Sequence, residues 1–127
     1  MATSKINKTG IRGLEIRTPS ATTLASGTQK TVDTFTLGAG IWLVTVSGSF
    51  VNNSTGVRAI WISKTNNGDI MSVVSRSAMN NAGGYYTKFG FNYIENLSES
   101  TTRYVVAYQN SGSNLSCYPR VRYVKLF

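Results

Sequence analysis

Histidine is absent from this 127-residue chain, cysteine occurs once, and the carboxylates number five: Glu15, Asp33, Asp69, Glu95 and Glu99. Each shortage removes a kind of chemistry. Without histidine, a serine, cysteine or threonine nucleophile lacks its usual imidazole base. A zinc site of His/Cys type fails on ligand count. Cys117 forms no intrachain disulfide and has no neighbouring base in the sequence, so it is expected as a small buried residue rather than a reactive thiol. Glu95 and Glu99 flank a polar turn, where charged side chains are expected in solvent, which disfavours paired-carboxylate glycoside cleavage. No Gly-x-x-x-x-Gly-Lys run is available to cradle phosphate, and Gly83-Gly84 is read as loop flexibility. The expectation is a protein that is not an enzyme, with no catalytic residue, metal or cofactor assigned.

Long apolar runs are missing too. None approaches the ~20 residues that a membrane-spanning helix needs, and Met1 to Gly10 lacks the apolar segment of a signal peptide. The chain is therefore expected to be made in a cytoplasm, without membrane insertion. Five Asn-x-Ser/Thr triplets begin at Asn7, Asn52, Asn53, Asn96 and Asn114, and in that compartment they are expected to be unmodified. Proline occurs twice: Pro19 falls in a polar N-terminal segment and Pro119 is read at the start of the last strand, where a missing N–H is harmless.

What the chain does contain is neutral polar surface. Serine and threonine occur 15 times each and asparagine 11 times, a composition that suits a β-protein and disfavours a helical bundle. The length fits one domain with a single core. The net charge of +8 is concentrated at the ends: Lys5, Lys8, Arg12, Arg17 and Lys30 outweigh Glu15, and Arg120, Arg122 and Lys125 follow near the C-terminus. Between them the chain is close to neutral.

Residues 35–62 carry the clearest pattern. A strand ends in Leu37, Gly38-Ala39-Gly40 turns the chain, and a long strand places Trp42, Val44, Val46 and Phe50 on one face. Asn52 to Gly56 turns again, and Val57–Ser63 returns, which makes the seed of an antiparallel sheet. Strands are expected at 31–37, 41–51, 57–63, 70–76, 85–94, 103–109 and 118–127. Asn66-Asn67-Gly68 is a hairpin signal, since both central residues tolerate positive φ, and 77–84 is read as a loop. Seven or eight short strands at regular spacing with no helical segment give an all-β sandwich or jelly roll. Residues 2–29 hold Ile6, Ile11, Leu14 and Ile16 without a 3.5 or 3.6 period, so they read as an extended arm or an edge strand. The division is an arm over 1–29 and a head over 30–127.

Three segments in order resemble a known family. Leu37-Gly38-Ala39-Gly40-Ile41-Trp42-Leu43-Val44 resembles the alanine-glycine turn of phage tail-fibre and receptor-binding head domains. Phe50 to Arg58 is similar to their asparagine-rich hairpin, and Tyr108-Gln109-Asn110-Ser111-Gly112-Ser113-Asn114-Leu115 to the turn joining their last two strands. The resemblance covers roughly residues 30–127. It implies a jelly roll like that of tumour-necrosis-factor ligands and complement globular heads, assembled as a tight homotrimer around aromatic strands. A fibre shaft is not recognisable in the arm.

From this follow the expected sites. Loops 64–69 and 77–86 are expected to gather at the end of the sandwich away from the arm and to offer Asn66, Asn67, Asp69, Asn80, Asn81, Tyr85 and Tyr86 to a host-surface glycan. Phe89, Phe91, Tyr93, Tyr104, Tyr108, Tyr123 and Phe127 carry more aromatic surface than one small core is expected to hold, so they are candidates for the trimer interface. The expected function is a virion structural protein that attaches to a host saccharide, with other virion proteins engaged through the arm. The alternative is a capsid, head-decoration or head-fibre protein. Behind both stands a nucleic-acid-binding β-barrel, in which Tyr118 to Lys125 would supply interleaved bases and aromatics.

Overall fold

The computed structural model describes residues 14–51, 56–71, 77–79 and 87–127. They form nine strands: β1 (Glu15–Arg17), β2 (Thr22–Leu24), β3 (Lys30–Leu37), β4 (Gly40–Phe50), β5 (Arg58–Ser63), β6 (Ser77–Met79), β7 (Thr87–Leu97), β8 (Thr101–Gln109) and β9 (Leu115–Lys125). One sheet has the order β1-β9-β4-β7, with β2 also on β9, and the second has the order β3-β8-β5-β6. Every pairing is antiparallel. The chain is an all-β, sandwich-like protein.

Period-2 alternation builds the core. From β4, Val44, Val46 and Phe50 are buried against Phe89 and Tyr93 of β7 and Cys117 and Val121 of β9. The second sheet answers with Val32, Phe35 and Leu37 of β3, Ile60 and Ile62 of β5, and Val105 and Ala107 of β8. In β3 the alternation breaks: the β3–β8 register shifts between Thr31 and Asp33, so that Val32 and Asp33 are both buried.

Several boundaries differ from the sequence reading; β7 runs on to Leu97 and β8 begins at Thr101, so the turn between them is shorter than expected. The strand expected at 70–76 is represented by Ile70, which makes an isolated bridge to Ser63, and by Met71, which enters the core; 72–76 lie outside the described residues. Ser77–Met79, read as loop, is strand β6 on the edge of the second sheet. The last strand begins at Leu115, because Leu115 and Cys117 both face inward, so Pro119 lies within β9 rather than at its start. Its missing N–H is tolerated because the far edge of β9 pairs with β2 through Cys117 and with β1 from Val121, leaving a break at the proline. Finally, the segment read as an arm supplies β1 and β2. The edge-strand form of that reading describes these residues, and Leu24 is fully buried in the core.

The Gln109-Asn110-Ser111-Gly112-Ser113 turn explains how β2 is held. Gln109 is fully buried; its amide donates to the carbonyls of Leu24 (3.0 Å) and Ser113 (2.6 Å), and its oxygen accepts from the Ser111 N–H (2.7 Å). One side chain thus closes the β8–β9 turn and anchors the N-terminal strand to it.

In mid-β4, Gly48 has φ +152°, and a Cβ there would lie 2.1 Å from the Tyr118 carbonyl oxygen and 2.8 Å from the Phe89 ring. Gly48→Ala is therefore expected to cost about 3 kcal/mol through backbone strain and overpacking. Gly38→Ala, with nothing within 4 Å, should change stability by less than about 0.5 kcal/mol. Urea denaturation of the two variants checks the contrast.

Candidate functional site

The turn at residues 64–69 is built from within. The Thr65 N–H donates to Ser63 Oγ (3.1 Å), the Gly68 N–H to the Thr65 carbonyl (3.0 Å), and the Trp61 indole to the Gly68 carbonyl (3.0 Å). Asn67 has φ 56° and clamps the turn to β3: its N–H donates to Thr31 Oγ1 and its Oδ1 accepts from the Thr31 N–H, both at 2.7 Å. Gln29 donates to the Asn67 carbonyl (2.8 Å) and to Asp69 Oδ1 (3.2 Å). Positive φ falls on Asn67 and not on Gly68. The glycine is required for room, since a Cβ there would meet Thr65 Oγ1 at 1.9 Å.

These contacts sort the saccharide candidates. The Asn67 side-chain oxygen is spent on the fold, and Asp69 shares Gln29 while remaining exposed. Asn66 and Lys64 are exposed, and Lys64 lines a cleft with Ser63, Thr65, Asp69, Ile70 and Met71. Asn80, Asn81, Tyr85 and Tyr86 lie outside the described residues. The described strand ends on either side of them are Met79 and Thr87. Met79 pairs with Arg58, at the opposite end of β5 from Ser63, and Thr87 pairs with Phe50, the last residue of β4. The expectation that both loops gather at one end involves residues 80–86, which lie outside the described residues.

The seven aromatic interface candidates separate in the same way. Phe89 and Tyr93 are core residues, and Phe91 and Tyr123 pack against the core from partly buried positions. Phe89 stacks obliquely on Phe50 (5.5 Å between centroids), and Tyr123 lies between Phe35 (5.5 Å) and Trp42 (5.7 Å). A single chain accommodates these four because alternate positions of two facing sheets contribute to one layer. Tyr104 and Tyr108 pack with Ala59, Trp61 and Val106 in a separate cluster. Phe127 is 81% exposed.

Two carboxylates are consumed inside. Arg17 of β1 grips Asp33 of β3 through two contacts, Nε to Oδ2 at 3.0 Å and Nη2 to Oδ1 at 2.9 Å, and this hydrogen bonding raises the arginine pKa. Arg103 of β8 donates through Nε and Nη2 to Glu95 Oε2, the former at 2.9 Å, while the Tyr93 hydroxyl donates to Glu95 Oε1 at 3.2 Å. Glu95 is 8% exposed, which corrects the expectation of a solvated turn residue: it is inward by the parity of β7. Desolvation, with the neighbouring Glu95 charge second, raises the Tyr93 pKa. Both pairs span the two sheets, so these acids serve the fold.

Arg103→Met leaves the Glu95 charge buried without its guanidinium and is expected to cost about 3–5 kcal/mol, most of it recovered in the Glu95→Leu/Arg103→Met double variant. Urea midpoints of the single and double variants check this. Cys117 is fully buried, as its sequence context suggests, and desolvation pushes its thiol from 9.0 up to about 12. The folded state therefore holds this proton more tightly than the unfolded state. The associated stability is complete below pH 9 and is lost as pH rises from 9 toward 12. The native thiol should resist Ellman's reagent at pH 8, and Cys117→Ala should show a shallower decline of stability above pH 9 than the parent.

No protein-family model matches the chain, and a search of curated proteins returns no match.

Proposed function

We propose that this chain is the head of a virion attachment protein of the phage tail-fibre or receptor-binding kind, a non-enzymatic homotrimer that holds a host-surface saccharide. The observation that carries the reading is an apolar end on the outer face of the first sheet. Outward positions there hold Ile16, Leu43, Ile94 and Val124, with Ile94 60% and Ile16 48% exposed. Phe127 continues this end, its backbone bonded to Ile41. An apolar sheet face of this kind marks a surface for burial against another molecule. A second copy and a third supply it in a trimer. This moves the proposed contact from the core aromatics Phe89 and Tyr93 to residues on the outer face.

The strand orders support the jelly-roll part of the proposal. If β1 and β2 share one strand position, the two sheets have the four-on-four arrangement of a double Greek key. The arm's role as an anchor to other virion proteins belongs to the same reading. The 64–69 turn supports the saccharide part. Its backbone is clamped by Asn67, so Lys64, Asn66 and Asp69 are presented from a backbone that is already ordered before binding. A weak contact of that size gains from threefold repetition.

Light scattering after size exclusion is expected to give three times the 13.8 kDa chain mass, and Ile94→Asp should return a folded single chain. A parent protein that stays monomeric at micromolar concentration overturns the assembly. On a glycan array, Asn66→Ala/Asp69→Ala should weaken binding at least fivefold with little change in melting. Asn67→Ala should instead cost about 1 kcal/mol of stability.

A further inference from the structure

The other half of the same outer face is chemically different. In β4 the outward positions after Leu43 are Thr45, Ser47 and Ser49, since Val44, Val46 and Phe50 face the core. Beside them the register sets Asn92, Gly90 and Lys88 of β7 on one flank and Arg122, Arg120 and Tyr118 of β9 on the other. The small residues of the middle strand and Gly90 form a floor, and the cations stand on the two flanking strands. The result is a shallow groove whose lining includes Ser47, Ser49, Lys88, Tyr118 and Arg120. Its walls are two strand spacings apart, about 9–10 Å. Lys88, Arg120 and Arg122 are exposed, Tyr118 is 42% exposed, and no carboxylate occupies an outward position on β4, β7 or β9.

We infer that this groove binds an acidic saccharide, a chain carrying carboxylates or sulfates on its sugar rings. The inference rests on the attachment reading for the choice of a saccharide and adds to it a location and a charge. Each part of the groove matches one part of such a ligand. A floor of hydroxyls, a side-chain amide and a bare glycine admits a sugar ring and meets its hydroxyl groups. Arg120 and Arg122 offer planar forks to carboxylate or sulfate oxygens, and Lys88 offers a point charge from the opposite wall. Tyr118 offers an aromatic edge or face to the C–H side of a ring. A single-stranded nucleic acid fits less well, because binding of that kind uses successive aromatic platforms for successive bases, and the groove provides one ring. The site is separate from the 64–69 turn: it lies toward the Phe50 end of β4, next to Thr87, whereas the turn follows Ser63.

Gly90 makes the inference testable without altering charge. A Cβ there meets only the Val46 carbonyl oxygen, at 3.8 Å, so a side chain at this position stands on the groove floor at no cost to the core. The full chain is titrated calorimetrically with oligogalacturonate, dextran sulfate, neutral dextran and a fifteen-nucleotide oligo-dT. The expected result is binding of at least one acidic saccharide that weakens with added salt. It should fall at least tenfold in Lys88→Gln/Arg120→Gln and at least fivefold in Gly90→Gln, with melting unchanged in both, and be unaffected by Asn66→Ala/Asp69→Ala. Acidic saccharide binding that survives Gly90→Gln reports diffuse basicity and overturns the groove. Tighter binding of oligo-dT, lost in the same variants, overturns the saccharide in favour of nucleic acid. Failure of both acidic saccharides while a neutral glycan on the array binds through Asn66 and Asp69 overturns the groove and leaves the attachment reading standing. Failure of every saccharide overturns both.

Discussion

Strand β4 is the constraint from which most of the molecule follows. It is an eleven-residue strand that pairs with β7 along its whole length and with β9 from Trp42 to Phe50. A strand in that position cannot shift by one residue without turning Val44, Val46 and Phe50 out and Thr45, Ser47 and Ser49 in. Burial of the first set therefore assigns the second set to the outer face, and the cross-strand neighbours on β7 and β9 inherit the same assignment. The apolar end, the hydroxyl floor and the basic flanks are consequences of one register. Gly48 adds a local condition, because the close approach of the Tyr118 carbonyl leaves no room for any side chain at that point.

Charge inside the sandwich is arranged in pairs that cross from one sheet to the other. Arg17–Asp33 joins β1 to β3, and Arg103–Glu95 joins β8 to β7. Such pairs are weak evidence for net stability, since desolvation of both charges offsets much of their attraction. What they supply here is position. A shift of either sheet against the other takes a guanidinium away from a buried carboxylate, Asp33 or Glu95, and the loss is largest at Glu95, where Arg103 is buried as well. The bulge at Val32 belongs to the same arrangement, because it turns Asp33 inward toward Arg17 while keeping Val32 in the core.

How much of this was legible in the sequence depended on whether period 2 was unbroken. Residues 40–50 were readable to within one residue because apolar and polar positions alternate from Val44 to Phe50 behind a glycine turn, and 58–63 because a short apolar run, Ala59 to Ile62, follows the asparagine-rich turn. Ser77-Ala78-Met79 was read as loop because three residues without alternation carry no strand signal; its place comes from pairing with β5. Pro119 concealed the start of β9, since a proline inside a strand is admissible only where the partner edge is interrupted, and that interruption is a tertiary fact. Glu95 was misplaced because a carboxylate near a polar turn looks solvated until Arg103 is found across the sheets. The aromatic surplus was overestimated for the same reason: parity told that Phe89, Phe91 and Tyr93 share a face, but not that the opposing sheet closes over it.

The sharing of one edge of β9 by β1 and β2 has a mechanical side. The hydrogen bonds of an antiparallel pair run perpendicular to its strands, so a pull on the N-terminal side directed along the strand axis loads the β1–β9 and β2–β9 ladders in shear, with their bonds acting together rather than opening one at a time. Behind those short ladders stand two further restraints, the Arg17 fork on Asp33 and the buried Leu24 beneath Gln109. Tension entering from the N-terminal side is thereby delivered to the last strand of the chain, which is also the strand carrying Arg120 and Arg122, and force and ligand contact meet on the same β-strand.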